Sequence, residues 1–141
     1  MTTNNNNLPP APALEPEHQL TVFVHHSQPA PTATREFSDR VRALGKRHLL
    51  VAYTAAIARQ GPPFMMGAEL DAYIEQNYRA FVETWVGRYN WRARMRGAPS
   101  IEVLTSMEEG MIIFETYVGV VASQKRYGEI TDWIARLVHL G

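Results

Sequence analysis

Apolar residues recur at helical spacing through most of the chain. Phe37, Val41, Leu44, His48, Val51, Ala55 and Ala58 form one stripe, predicting an amphipathic helix from about Thr34 to Gln60. Thr34 is placed to cap it, with Glu36 in the electropositive first turn, and Gly61-Pro62-Pro63 stops it. A second stripe, Leu70, Ile74, Tyr78, Phe81 and Trp85, predicts a helix that starts near Gly67. Glu69 and Asp71 lie in its first turn, and Gly97-Ala98-Pro99 closes the run. Ile101 to Leu104 predicts one short turn. Ser106-Met107-Glu108-Glu109 then has the form of a capping box opening another helix. From Met111 to Ala122 the pattern is apolar almost all round, which predicts a helix buried on every side. Gly128 separates it from a last amphipathic stripe, Ile130, Trp133, Ile134 and Leu137.

One segment carries a competing signal. Met111 to Val118 is rich in β-branched and aromatic residues, which favour strands, and Glu108-Glu109-Gly110 could turn a hairpin. Helix is preferred because the run exceeds ordinary strand length and carries a capping pattern. The predicted fold class is therefore all-α: a globular helical bundle around a central buried hydrophobic helix.

Proline sets the limits of these runs, since it cannot sit inside a helix without losing a hydrogen bond. Six of the nine prolines fall at or before Pro31. Residues 1–18, with Asn4 to Asn7 followed by Pro, Ala and Glu, read as a disordered tail, leaving 19–141 as a single helical domain. Leu20 to Val24 is a short apolar run, either a strand or a packed arm.

Composition narrows the function classes. A chain of 141 residues with 45% hydrophobic positions can bury one core. Fourteen basic and fourteen acidic residues give no whole-chain steering toward nucleic acid or anionic lipid. Cysteine is absent, so neither a disulfide framework nor a thiolate zinc site is expected. No stretch reads as a signal peptide or reaches the ~20 apolar residues of a membrane span. The chain stops at Gly141 directly after a helical pattern, so no membrane tail is expected.

Candidate chemistry is sparse. His18, His25 and His26 match no usual zinc spacing and have no acid or thiol nearby in sequence, so no metal or other cofactor is expected. His48 on the first helix reads as a core or rim histidine. Glu108 and Glu109 are adjacent on a helix and point about 100° apart, so they suit the helix dipole better than one shared substrate. No nucleophile elbow, phosphate loop or Ser/His/Asp set is present, and no enzymatic activity is expected. Arg88, Arg92, Arg94 and Arg96, interleaved with Tyr89 and Trp91, make the best case for nucleic acid. One local cluster on a neutral chain reads better as a solvated basic helix end.

Gly110-Met111-Ile112-Ile113-Phe114-Glu115-Thr116-Tyr117-Val118-Gly119 resembles the first homology motif of the B-cell lymphoma 2 family of apoptosis regulators. Its two glycines stand nine positions apart, as they do there. Leu49 to Tyr53 and Ala58 to Gly61 are similar to that family's first helix, and Asn77-Tyr78-Arg79-Ala80-Phe81 to the groove-lining part of its second. Met66, Leu70 and Asp71 fall where its third motif has an anchor, a small residue and an aspartate. Asp132-Trp133-Ile134 resembles its closing helices. The resemblance covers about residues 47–140 and is that of a short viral-type homologue. It departs at Glu108-Glu109-Gly110-Met111, where the family usually reads Asn-Trp-Gly-Arg, and at Leu70, where a small residue is usual.

The resemblance implies an anti-apoptotic protein that sequesters the helical death motif of pro-apoptotic relatives in an apolar groove. The implied groove is Tyr78, Phe81, Val82, Trp85, Val103, Leu104, Met107, Gly110, Met111, Ile113, Phe114 and Tyr117. Met111 stands where the family's arginine pairs with the ligand's aspartate, which implies a narrowed partner range. It also implies a cytoplasmic location in a host cell, peripheral to mitochondria. The alternatives are a small nucleic-acid regulator using Arg88–Arg96, and a dimerising helical module without a groove ligand.

Overall fold

A computed structural model describes residues 8–141. Six helices follow one another: α1 (Pro16–Phe23), α2 (Thr32–Ala58), α3 (Gly67–Arg88), α4 (Ile101–Leu104), α5 (Met107–Ser123) and α6 (Tyr127–Leu140). A 3-10 turn at Trp91–Arg94 links α3 to α4. No strand is present among the described residues. One isolated bridge joins Val24 to Arg96, and it ties the end of α1 to the loop before α4. The fold is thus an all-α bundle, and the Met111–Ala122 segment is helical.

The bundle is organised around α5. Every residue from Glu109 to Ala122 is buried except the half-buried Ile112. α2 lies along α5 and forms its most extensive contact, with α1, α3 and α6 packing on its other sides. The α2–α5 approach depends on two glycines. A Cβ added at Gly45 would lie 1.8 Å from the Glu115 carbonyl oxygen, and one at Gly119 would lie 1.6 Å from that of Val41. Backbone meets backbone there, so no other residue fits.

The residues that α2 buries are Val41, Gly45, Leu49, Ala52, Tyr53, Ala56 and Ile57. The stripe expected from the sequence shares only Val41 with this set. Leu44 and Val51 face outward, and His48 stacks on the Tyr127 ring at the surface. The misreading has a physical origin: the true contact row runs through Gly45, which no hydrophobicity pattern scores. α2 also begins at Thr32 after Pro31, without the side-chain cap expected from Thr34. The break before α6 falls at Gln124–Arg126, where Lys125 is left-handed (φ 60°), so Gly128 sits inside the helix.

At the N-terminus, Leu20–Val24 is a packed arm rather than a strand: most of it belongs to α1, which buries Val22 and Phe23 and has Pro16 in the first turn, where its missing N–H costs nothing. Residues 8–18 are packed rather than disordered. Pro9, Pro12 and Leu14 are buried, the Tyr89 hydroxyl donates to the Pro9 carbonyl, and the Tyr117 hydroxyl donates to that of Pro12. Arg126 donates to the Ala13 carbonyl at 2.7 Å. Proline-rich chain has few backbone donors, so its carbonyls are free to accept from side chains. The Asn4–Asn7 part of the expected tail lies outside the described residues.

Aromatic rings fill the centre between α1, α5 and α6. Trp91 stacks on Tyr117 (centroids 4.5 Å apart), Phe114 stacks on Trp133 (5.2 Å), and Phe23 of α1 meets Trp91 edge-on (6.1 Å). The Trp133 indole N–H donates to the Tyr89 hydroxyl at 2.9 Å. Such ring pairs add ~0.5–1.5 kcal/mol each beyond area burial.

Candidate functional site

The groove implied by the family resemblance is not an open trough. Val82, Trp85, Ile113 and Phe114 are fully buried, and Tyr78, Met111 and Tyr117 nearly so. Phe81, Val103 and Leu104 are half-buried, and Met107 alone is exposed. Gly110, the glycine that should face a visiting helix, lies under an ion pair. A Cβ there would lie 2.6 Å from an Arg92 guanidinium nitrogen and 2.9 Å from a Glu83 carboxylate oxygen. Arg92 is held by Glu83 at 2.8 Å and also donates to the Leu104 and Ser106 carbonyls. These contacts close the space over the start of α5. Most of the implied residues are core because an all-round apolar helix packs inward on every face.

The same contacts account for the basic cluster. Arg92 is internally bonded, Arg94 covers the Phe23 ring (4.0 Å), and Arg88 covers the Trp85 ring (4.6 Å). Trp91 is buried and Tyr89 half-buried, so neither offers a free stacking face. Arg88, Arg94 and Arg96 stay exposed, while the rings between them are turned into the bundle.

A wide opening lies elsewhere, between α1, the following loop, the start of α2 and the start of α5. It is a cleft of about 800 Å³. Its floor is Ile112, the one incompletely covered position in the central stretch of α5, and its apolar walls include Leu20, Val24, Phe37 and Met95. Of the twelve residues of the implied groove none lines it, and Tyr78 alone lines a smaller depression of about 360 Å³ between α2 and α3.

Acidic and basic groups both line the cleft, Glu17, Asp39 and Glu109 among the acids and Arg35 and Arg42 among the bases. Arg42 at the rim reaches Glu108 at 3.1 Å and the buried Glu115 at 3.4 Å. Glu115 also accepts from the Tyr78 hydroxyl at 3.3 Å. On the opposite wall, His25 and Glu109 are both almost fully buried, with Nε2 and Oε2 3.2 Å apart. Glu109 explains why the capping box is only half formed. Ser106 Oγ accepts from the Glu109 N–H as expected, but the Ser106 N–H donates to the Val103 carbonyl and the Glu109 side chain turns to His25.

Burial pushes the Glu115 carboxyl above its ordinary value of 4.5, although Arg42, Lys46 and Tyr78 pull it down. Burial likewise pushes the Tyr117 phenol up to about 12. The folded chain therefore binds the Glu115 proton more tightly than the unfolded chain does. The contribution of this group to stability is greatest below its unfolded value and declines as pH rises through the folded one. Glu115→Gln is expected to lack that decline. Urea midpoints of both proteins from about pH 4 to pH 7 measure it, and parallel curves would contradict the assignment.

Sequence reading missed Arg42, Glu115 and the His25–Glu109 pair. Glu115 carried a usable signal, since an acid inside an apolar run needs a partner. The His25–Glu109 contact spans 84 positions and has no local signature.

No family model, curated protein or solved structure matches the chain. Among the described residues, no helix is long and apolar enough to cross a membrane.

Proposed function

We propose that this chain acts by receiving an amphipathic helix of another protein in the α1–α2–α5 cleft, as an anti-apoptotic protein that sequesters the death-motif helix of pro-apoptotic B-cell lymphoma 2 relatives. The observation that carries the reading is the cleft itself, the place where the central helix is left partly bare. An α-helix with its side chains is ~10–12 Å across, so an opening of this size accepts one apolar face of roughly two turns. Ile112, Phe37, Leu20 and Val24 offer the apolar contacts. Arg42 also lines the cleft, and an acidic residue of the incoming helix would exchange for Glu108 in its ion pair, the part that Met111 cannot play. The sequence resemblance over residues 47–140 supports the family, and its groove is moved from the Gly110 side of α5 to the Ile112 side. Sequestration in the cytoplasm, beside mitochondria, belongs to the same reading.

The test is a titration of a panel of fluorescently labelled death-motif peptides with the full chain, read by the anisotropy of the label. Binding at micromolar concentration is expected for at least one peptide. Ile112→Arg is expected to weaken it at least tenfold, whereas Phe81→Ala, outside the cleft, leaves it within twofold. A chain that is helical by circular dichroism and binds none of the panel would refute the reading.

A further inference from the structure

We propose that His25, His26 and Glu109 form a divalent metal site, for which zinc is the fitting ion, on the α1 wall of the cleft. One ligand atom from each of the three lies within 4.8 Å of the other two. The residues come from separate places. His25 and His26 follow α1, and Glu109 opens α5. Two imidazoles and one carboxylate are a common zinc donor set, and bond lengths of ~2.0–2.2 Å place such ligands about 3.3–3.5 Å apart. His25 Nε2 and Glu109 Oε2 already stand at 3.2 Å. His26 is exposed, and its ring, tilted 31° from that of His25 at 4.1 Å, needs only a side-chain rotation to close the set.

A second observation points to a ligand. Glu109 is 2% exposed, yet its Oε1 has no hydrogen-bond partner. Pairing with His25 accounts for Oε2 alone. A buried, unsatisfied carboxylate oxygen costs ~1–3 kcal/mol or more unless something meets it, and a cation bound beside the carboxylate would meet it. The imidazole can adapt as well. The Ser27 N–H faces His25 Nδ1 at 3.1 Å, which directs the ring proton to Nε2 and toward Glu109. Coordination through Nε2 requires that one proton to move to Nδ1, which gives up the bond from the Ser27 N–H and donates instead to the Ser27 hydroxyl oxygen at 2.8 Å. Ser27 would then orient the metal-bound ring, as partners of the second ring nitrogen generally do. The cleft admits water as a fourth ligand. Bound metal would staple the end of α1 to the start of α5, which makes the ion a stabiliser of the cleft wall. The site stands whether or not a helix enters the cleft, and it is tested without any peptide.

The experiment is calorimetric titration of the tag-free full chain with zinc chloride, alongside His26→Ala, Glu109→Gln and, as a control, His18→Ala. His18 lies apart, bonded to Gln124. One zinc per chain is expected, with affinity at least tenfold weaker in His26→Ala and Glu109→Gln and unchanged in His18→Ala. Zinc is also expected to raise the thermal midpoint of the wild type and not that of His26→Ala, a variant at an exposed position that leaves the fold intact. Absence of binding at about 100 µM zinc, a concentration that would saturate a micromolar site, overturns the proposal. Equal affinity in all four proteins overturns it too.

Discussion

Gly119→Val is expected to yield a chain with no cooperative thermal transition by circular dichroism. Crowding a core usually costs ~1–3 kcal/mol because side chains shift out of the way. At Gly119 the obstacle is the Val41 carbonyl, 1.6 Å from where a Cβ would stand, and the main chain of a helix cannot step aside alone. α2 and α5 would have to part along the principal contact of the bundle, against a total stability of only ~5–15 kcal/mol. Gly119→Ala should already cost about 3 kcal/mol or more, and Gly45→Ala a similar amount. Both are relieved by the same separation, so the double substitution should cost clearly less than the sum. Gly110→Ala is the contrast, because its obstacles are the ends of Arg92 and Glu83, which can swing away. If Gly119→Ala melted within a few degrees of the parent protein, the close crossing would be wrong.

Phe114→Ala is expected to destabilise the chain by ~3–5 kcal/mol, read from urea unfolding. The ring is fully buried, stacked on Trp133, and within 5.4 Å of Trp91 and 6.4 Å of Phe81 between centroids. Its removal opens a cavity that large, rigid neighbours cannot fill. Phe81→Ala should cost distinctly less, because that ring is half-buried and its loss is partly compensated by water. Equal losses at the two positions would mean that Phe114 does not occupy the centre.

The helices were readable from the sequence where the pattern had no rival. Ile130, Trp133, Ile134 and Leu137 face inward as their spacing requires, and the Gly110–Ala122 rod is central because no face of it is polar enough to meet water. What failed was the assignment of inward and outward within a helix whose contact row contains a glycine. Gly45 is invisible to a hydrophobic stripe, and without it α2 was turned by about one residue, roughly 100°. The groove failed for a related reason. Tyr78, Trp85 and Phe114 have the residue types of a ligand-binding wall, but those are also the types of a core, and only the position of Arg92 over Gly110 separates the two. The N-terminal segment failed because composition measures what a stretch can bury by itself. Residues 8–18 bury little of their own, yet they lend carbonyls to Tyr89, Tyr117 and Arg126. Arg42 and His25 were unreadable because their partners lie 66 to 84 positions away.

The aromatic centre has a practical consequence. Trp85, Trp91 and Trp133 are all inside, and none of them lines the cleft. Intrinsic emission therefore reports on whether the interior is dry, and it stays silent to a guest that settles over Ile112 without loosening the rings. A ligand that does change the tryptophan signal has disturbed the rings behind the opening, where Phe23 of α1 meets Trp91 edge-on, so the colour of the light distinguishes a visitor at the door from one that has loosened the interior.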